Sequence, residues 1–421
     1  MQDLWADFAG ELQSEGEAGR GLRRRRPSEQ AVLAALRAWL LQDYMLPYGA
    51  SLGATRIFKR CYWIDGLGNN RVSAPGALAD AQEEGTRKRE RRKAQASPLP
   101  PALQMADAVA RRLAQLERPI TLHAFALEER RGKPKGARAE QNGASAAAAL
   151  PKEGGTLPGS WPELAPSLLP ALEGCAAVFL LNPLRSDLFR YADLAPLYAR
   201  AAPTELFLWL PHKQLEARLL PALRTGEGAA ALTNLLRGDR WKTLPAKNEE
   251  SPERVVAGLI ELLAQSMRQH FLTVQQLAFP VRTGPALVET VPYTLLFATR
   301  RQDSLASMND AVCLRARRLV AESHQGVLNE QWFAAQREEQ DAERLAALAQ
   351  EALALGRAQR VRRWPDLRQQ LLLRHFGQHT LQDYDGVIGK LLAQGEVRCE
   401  WRRRDQEPDT FPGNDDLLLW K

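Results

Sequence analysis

The sequence predicts an α/β protein: a Rossmann-like, doubly wound, mostly parallel sheet followed by a C-terminal winged-helix domain. Three observations predict it. Short, nearly all-apolar runs alternate with amphipathic stretches, the pattern of parallel strands buried on both faces between helices. The first runs end in turn signals or polar residues, Asp65-Gly66, Glu128 and Asn182-Pro183, as strand ends at a ligand-binding rim do. The tail then changes character, with two helical segments followed by two short strands.

The elements follow in order. Residues 1–27 read as a flexible leader ending in Arg23–Arg26 and Pro27. Ser28 is an N-cap candidate, and Val32, Leu33, Leu36, Trp39 and Leu40 repeat at helical spacing. Arg56–Asp65 is an aromatic and β-branched run that ends in the turn Asp65-Gly66-Leu67-Gly68-Asn69-Asn70, so it reads as a strand. Residues 71–95 are polar and charged, a mobile insertion. Residues 98–117 form a helix with proline at its start. Ile120–Leu127 is the second strand, and 130–160, rich in Gly, Ala, Lys and Pro, is a second mobile insertion.

A helix over 162–173 leads to the third strand, Ala176–Leu181, and a helix over 188–201 leads to the fourth, Thr204–Leu210. A helix near 251–270, a strand over Thr290–Thr299 and a helix near 305–321 complete a body spanning 28–325. Residues 326–360, with a long Ala/Leu/Glu/Gln-rich helix over 327–357, form a connector. The final domain, 361–421, has a helix over Asp366–Phe376, a short capped turn at Thr380–Tyr384 and a helix over Asp385–Gln394. Strands over Glu396–Arg403 and Leu417–Lys421 close it, with Trp401 and Trp420 expected to pack its small core.

Composition bounds the function. At 421 residues the chain exceeds one ordinary core, and its 45% hydrophobic and 25% charged content is that of a folded protein. No run approaches a membrane span, and the acidic, polar N-terminus is unlike a secretory signal. Cys61, Cys175, Cys313 and Cys399 lack CxxC spacing, so they read as ordinary thiols of a reducing cytoplasm. His123, His212, His270 and His324 are isolated, which argues against a metal site, and neither a GxSxG elbow nor a P-loop is present. The net charge of +7 favours a polyanionic partner.

Two constellations carry the chemistry. At the strand ends, Asp65, Gly66 and Gly68 would line the methionine end of S-adenosylmethionine (SAM), and Glu128 would accept from its ribose hydroxyls. Asn182-Pro183 would face a transferred methyl, the Asn182 carbonyl orienting an acceptor amine. In the tail, Gln378, His379, Gln382 and Lys390 are the residues expected to be exposed on or beside a groove-docking helix. Arg398, Arg402, Arg403 and Arg404 lie on the wing side as phosphate contacts.

The order of these features resembles the three-Cys-motif partner family. The matching stretches are YWIDGLGN (62–69), ASPLPPAL (96–103), HAFALEE (123–129), LNPLRSDL (181–188), TELFLWL (204–210), LLRGDRW (235–241), LLFATRR (295–301) and SMNDAV (307–312). The resemblance runs from about residue 28 to the end. It implies a methyltransferase-like Rossmann body, a C-terminal winged helix, SAM as cofactor, a nucleic-acid connection and a radical-SAM-like partner protein. The chain departs from the family pattern at the pocket. The glycine turn is shortened, Asn182 replaces the aspartate before Pro183, Leu184-Arg185 replaces Phe-Gly, and Ala96 replaces a glycine.

Three functions are compatible with these residues. The first is a DNA-binding subunit with a degenerate SAM-methyltransferase fold in a multi-protein complex, for example one that defends against foreign or phage DNA. The second is an active SAM-dependent methyltransferase on nucleic acid, whose target base is single-stranded or flipped out. The third is a protein-binding scaffold.

Overall fold

The computed structural model describes residues 28–68, 101–128, 154–185, 188–244, 251–283, 288–323, 330–360, 363–402, 411–413 and 415–421. The expected leader, the 71–95 insertion, residues 130–153 of the other insertion, Arg403 and Arg404 lie outside the described residues.

Helix α1 (Glu29–Trp39) starts where the sequence places it: the Ser28 Oγ accepts the Ala31 amide at 3.2 Å. A π-helical turn, Leu40–Tyr44, joins it to α2 (Met45–Ala54). Then follow β1 (Arg60–Gly66), α3 (Pro101–Ala114), β2 (Thr121–Glu128), β3 (Gly155–Pro158), α4 (Trp161–Ala171), β4 (Ala176–Leu181), α5 (Tyr191–Ala199) and β5 (Thr204–Pro211). Next come α6 (His212–Thr225), α7 (Ala229–Leu236), a 3-10 turn (Arg240–Thr243), α8 (Pro252–Arg268), β6 (Thr273–Thr283), β7 (Val288–Thr299) and α9 (Gln302–Ser323).

The seven strands form one sheet in the order β3-β2-β1-β4-β5-β7-β6. β1 to β5 are parallel, and β7 runs antiparallel to both β5 and β6. Alternation along each strand feeds two cores. Cys61, Trp63, Phe207 and Trp209 face a layer with α1, α2, α3 and α9. Tyr62, Ile64, Leu206 and Leu208 face a layer with α4 to α8. The sheet is therefore covered on both sides, as its apolar strands require. Strand order reverses between β1 and β4, the switch point where such sheets hold ligands.

The sequence reading missed three parts of this body. β3 lies inside the stretch expected to be an insertion. It is a four-residue edge strand ending in Pro158, too short for a pattern and tolerable only at an edge. β6 is the other edge; Gln275, Gln276 and Pro280 interrupt its pattern, and Pro280 sits where the register shifts between Phe279 and Val281. Helices α6 and α7 occupy a stretch that was given no element.

The C-terminal part comprises α10 (Glu330–Gln359), α11 (Trp364–Arg374), α12 (Leu381–Ala393) and an antiparallel pair, β8 (Val397–Glu400) with β9 (Leu417–Trp420). The first half of α10 is largely exposed, with Trp332 57% exposed. Its last turns bury Leu348, Ala352, Leu353 and Leu355 against Trp364, Leu367, Tyr384, Ile388 and Leu418. Gly356 lies under the Trp420 ring, where a Cβ would fall 2.3 Å from a ring atom, so only glycine fits. Trp401 does not pack this core as expected: it follows β8 and is 40% exposed. α12 starts four residues before the expected Asp385. The Thr380 Oγ1 accepts the Asp383 amide and Asp383 Oδ2 accepts the Thr380 amide, a reciprocal cap rather than a separate turn.

One core runs through body and tail. The joint is built by α9. The Asn309 Nδ2 donates to the His379 carbonyl at 2.7 Å and its Oδ1 accepts the Gly377 amide at 2.8 Å. Asp310 Oδ1 accepts the Leu381 amide at 2.8 Å. The SMNDAV segment is therefore a clamp on the α11–α12 turn. Among the described residues no helix is long and apolar enough to cross a membrane.

Candidate functional site

Of the predicted strand-end residues the structure brings Gly66 and Asn182 to one crevice; Asp65, Gly68, Glu128 and Pro183 are not among the residues that line it. Gly66 from β1, Leu127 from β2 beside Glu128, and Asn182 after β4 line a single crevice with Gly159, Ser160, Trp161, Arg185 and Phe189. The register explains this: Asp65 pairs with Ala126 on one side and Leu180 on the other, so the strands end level.

The chain itself occupies both faces of this rim. Asp65 lies on the Trp63 face of β1, so its carboxylate turns toward α1. There the Arg37 Nε donates to Oδ2 at 2.5 Å, and the Arg37 Nη2 donates to Oδ1 at 3.2 Å and to the Gly68 carbonyl at 2.6 Å. The Leu67 amide donates to the same carboxylate at 3.0 Å. Both partners of this ion pair are buried. Gly68 has φ +66°, and a Cβ there would fall 1.6 Å from the Arg185 Nη1; the guanidinium lies on the glycine turn. The Asn182 Oδ1 accepts the Leu184 amide at 2.9 Å, closing a turn in which the Pro183 carbonyl accepts from Phe189. The free volume left is about 10 Å³, room for roughly one water. Glu128 is half-buried at the end of β2, and its carbonyl accepts the Gly159 amide at 2.8 Å.

On the tail, exposure selects among the predicted residues. Gln382, Gly386 and Lys390 repeat every four residues along α12 and are exposed on one face. A Cβ on Gly386 would meet nothing within 4 Å. Gln378 is exposed before the helix, and Arg398 and Arg402 are exposed on and after β8. His379, expected to be exposed, is buried: its ring meets His375 and Tyr384 at 5.9 and 5.8 Å, and its carbonyl is held by Asn309. Desolvation holds its imidazole below the usual histidine range, so it is a neutral core residue. The acids of α12 are occupied: Asp383 pairs with Arg317, and Asp385 pairs with Arg368 and the Trp364 indole.

The opposite edge of the sheet holds a cluster that the sequence reading did not single out. Glu205, at the start of β5, is fully buried. Its Oε1 accepts from Thr299 Oγ1 at 3.1 Å and Ser304 Oγ at 3.0 Å, while Oε2 has no hydrogen-bond partner. The Tyr44 and Tyr48 hydroxyls beside it are likewise buried without a well-formed bond. Burial pushes the Glu205 carboxyl up to about 7, outweighing the two donated hydrogen bonds. The TELFLWL and LLFATRR segments thus meet as neighbours in the fold, through Glu205 and Thr299. Arg300 serves the same edge by donating to the carbonyls of His270, Arg200 and Tyr198 near helix ends. The signal available was one glutamate in an otherwise apolar strand.

Among the described residues no group of three or more His, Cys, Asp or Glu is placed to hold a metal ion. All four cysteines are free thiols. Compared with protein-family models, with curated proteins and with solved structures, the chain finds no match.

Proposed function

We propose that this chain is a nucleic-acid-binding subunit, directed at double-stranded DNA, whose methyltransferase-like body has lost its cofactor crevice. The observation that carries the reading is the contrast between the two candidate sites. The strand-end crevice, with the Arg185 guanidinium in its wall, leaves about 10 Å³, far below the ~300 Å³ at which ligand pockets begin. The sulfonium of SAM is a cation, and the Arg185 guanidinium in the crevice wall opposes it. The α12 face, by contrast, is open and carries Gln382 and Lys390, with Arg398 and Arg402 on the neighbouring strand side.

We read the end of α10, α11, α12 and the β8–β9 pair as a winged helix, a plan in which the last helix enters a major groove. On that plan Gln382 and Lys390 face base edges or phosphates. The arginines, with Arg403 and Arg404, contact the backbone and position rather than specify. Gly386 lets the helix backbone approach closely. The protein partner implied by the family resemblance belongs to this reading, as a larger assembly that uses the bound DNA.

An active SAM-dependent methyltransferase is the second reading. The specific observation in its favour is that Gly66, Leu127 and Asn182 share one rim at the switch point. Two measurements decide. Calorimetric titration of the protein with SAM should give no heat and no thermal shift; saturable binding would favour the enzyme. Duplex binding at two salt concentrations should weaken steeply with salt. The triple variant Lys390→Gln, Arg398→Gln, Arg402→Gln should bind weakly and with a slope shallower by about three. Unchanged binding by that variant would remove the α12 face from the function.

A further inference from the structure

We infer that the groove between the turn after β4 and the first two turns of α6 is a binding site for a sugar phosphate, carried by a free nucleotide or by a nucleic-acid strand. The groove is open, holds about 430 Å³, and is lined by Leu184, Arg185, Gln214, Ala217 and Arg218. It adjoins the closed crevice and shares Arg185 with it.

Three features point to the ligand class. Arg218 is fixed by one nitrogen: Nη2 donates to the Leu184 and Arg185 carbonyls at 3.3 and 3.2 Å. Its other hydrogen-bond donors have no carboxylate among the described residues, which leaves a pre-oriented cation facing solvent. Helix α6, fourteen residues long, begins behind Pro211 with no side-chain cap and no acidic residue in its own first turn, so the positive end of its dipole lies at this end of the groove. Gln214 supplies the third feature. Its Nε2 reaches Glu29 Oε1 at 3.5 Å, while its Oε1 is buried without a hydrogen-bond partner. A bare anion satisfies the arginine and the helix end but not this acceptor. A sugar hydroxyl next to a phosphate answers the first two and offers the Gln214 carboxamide a donor once that side chain turns into the groove.

The site stands apart from the reading of α12, and its test separates the two. The full chain is titrated with inorganic phosphate, with uridine 5′-monophosphate, and with labelled single-stranded DNA and RNA 12-mers. Binding of the nucleotide or of a 12-mer should fall about tenfold or more in Arg218→Gln, and less in Arg218→Lys. Ala217→Glu, an exposed position whose change breaks no hydrogen bond, should abolish it while leaving the unfolding temperature unchanged. Preference for the nucleotide marks a nucleotide site; preference for a 12-mer marks a strand site. The α12 triple variant should keep nucleotide binding whatever happens to its duplex binding. Wild-type affinity in Ala217→Glu, binding of inorganic phosphate alone, or no binding of any of the four probes would overturn the inference.

Discussion

The two edges of the sheet each bury a carboxylate, and they treat it in opposite ways. Asp65 at the carboxyl edge is met by a guanidinium, a backbone amide and a shared carbonyl in one network. Glu205 at the amino edge receives two hydroxyl donors, no paired cation, and keeps one oxygen unpartnered. A buried ion pair is stable only as a pair. A buried carboxyl without a paired cation is harder to ionise, because burial opposes the charged form. The carboxyl end of the sheet thus holds its carboxylate in an ion pair, while the amino end holds a carboxyl whose ionisation burial opposes.

The largest effect expected from breaking this contrast is at Asp65. Arg37→Met should destabilise the fold by about 3–5 kcal/mol in chemical denaturation, because it strands a buried carboxylate. Adding Asp65→Asn should recover much of that loss. A loss of less than about 1 kcal/mol, the range of an exposed pair, would show that solvent reaches Asp65 and that the pair is not buried.

Glu205 gives the next effect, with opposite sign. Its folded-state carboxyl is raised to about 7 from an ordinary 4.5. Its contribution is therefore fully present below the unfolded value and is lost as pH rises through about 7. Glu205→Gln cannot ionise. It should match the wild type near pH 4 and exceed its stability by up to about 3 kcal/mol at pH 8. Parallel stability–pH curves for the two proteins would show that the carboxyl is already ionised in the fold.

Smaller effects test the joint between body and tail. Asn309→Ala removes two hydrogen bonds and leaves the Gly377 amide and His379 carbonyl without their partner. A loss of about 2 kcal/mol is expected, together with faster hydrogen exchange across the α11–α12 turn. Gly377→Ala forces a side chain onto a residue at φ +76°, 2.6 Å from Val312, and should lose about 1–2 kcal/mol. The smallest effect is at Gly386. Alanine there meets only open space and should stabilise α12 by up to about 1 kcal/mol, while weakening duplex binding if the helix backbone approaches the ligand closely.

Much of the architecture was legible because it is periodic. β4 was read to the residue, since Ala176–Leu181 is apolar throughout and buried throughout. Ser28 as a cap and the strands β1 and β2 were equally local signals. The edge strands β3 and β6 were not legible, because proline and polar residues are tolerated where one side of a strand has no partner. At the rim, the sequence led to Asp65, Gly66, Gly68, Glu128 and Asn182; Gly66 and Asn182 line the crevice, while the Asp65 carboxylate turns to the other face of the sheet. It gave no sign that Arg37, twenty-eight residues earlier, would occupy Asp65.

What the chain determines by itself is therefore the alternation that makes a doubly wound sheet, the level strand ends, and the basic residues of the tail. These follow from hydrophobic spacing and turn chemistry, which act over a few residues. Which charged groups are occupied was decided only in three dimensions. Ion pairing, burial and the closing of a crevice depend on distances between segments that no local pattern encodes. His379 shows it plainly: one place before the Thr380 cap and polar by type, it is buried because α9 and α12 meet around it.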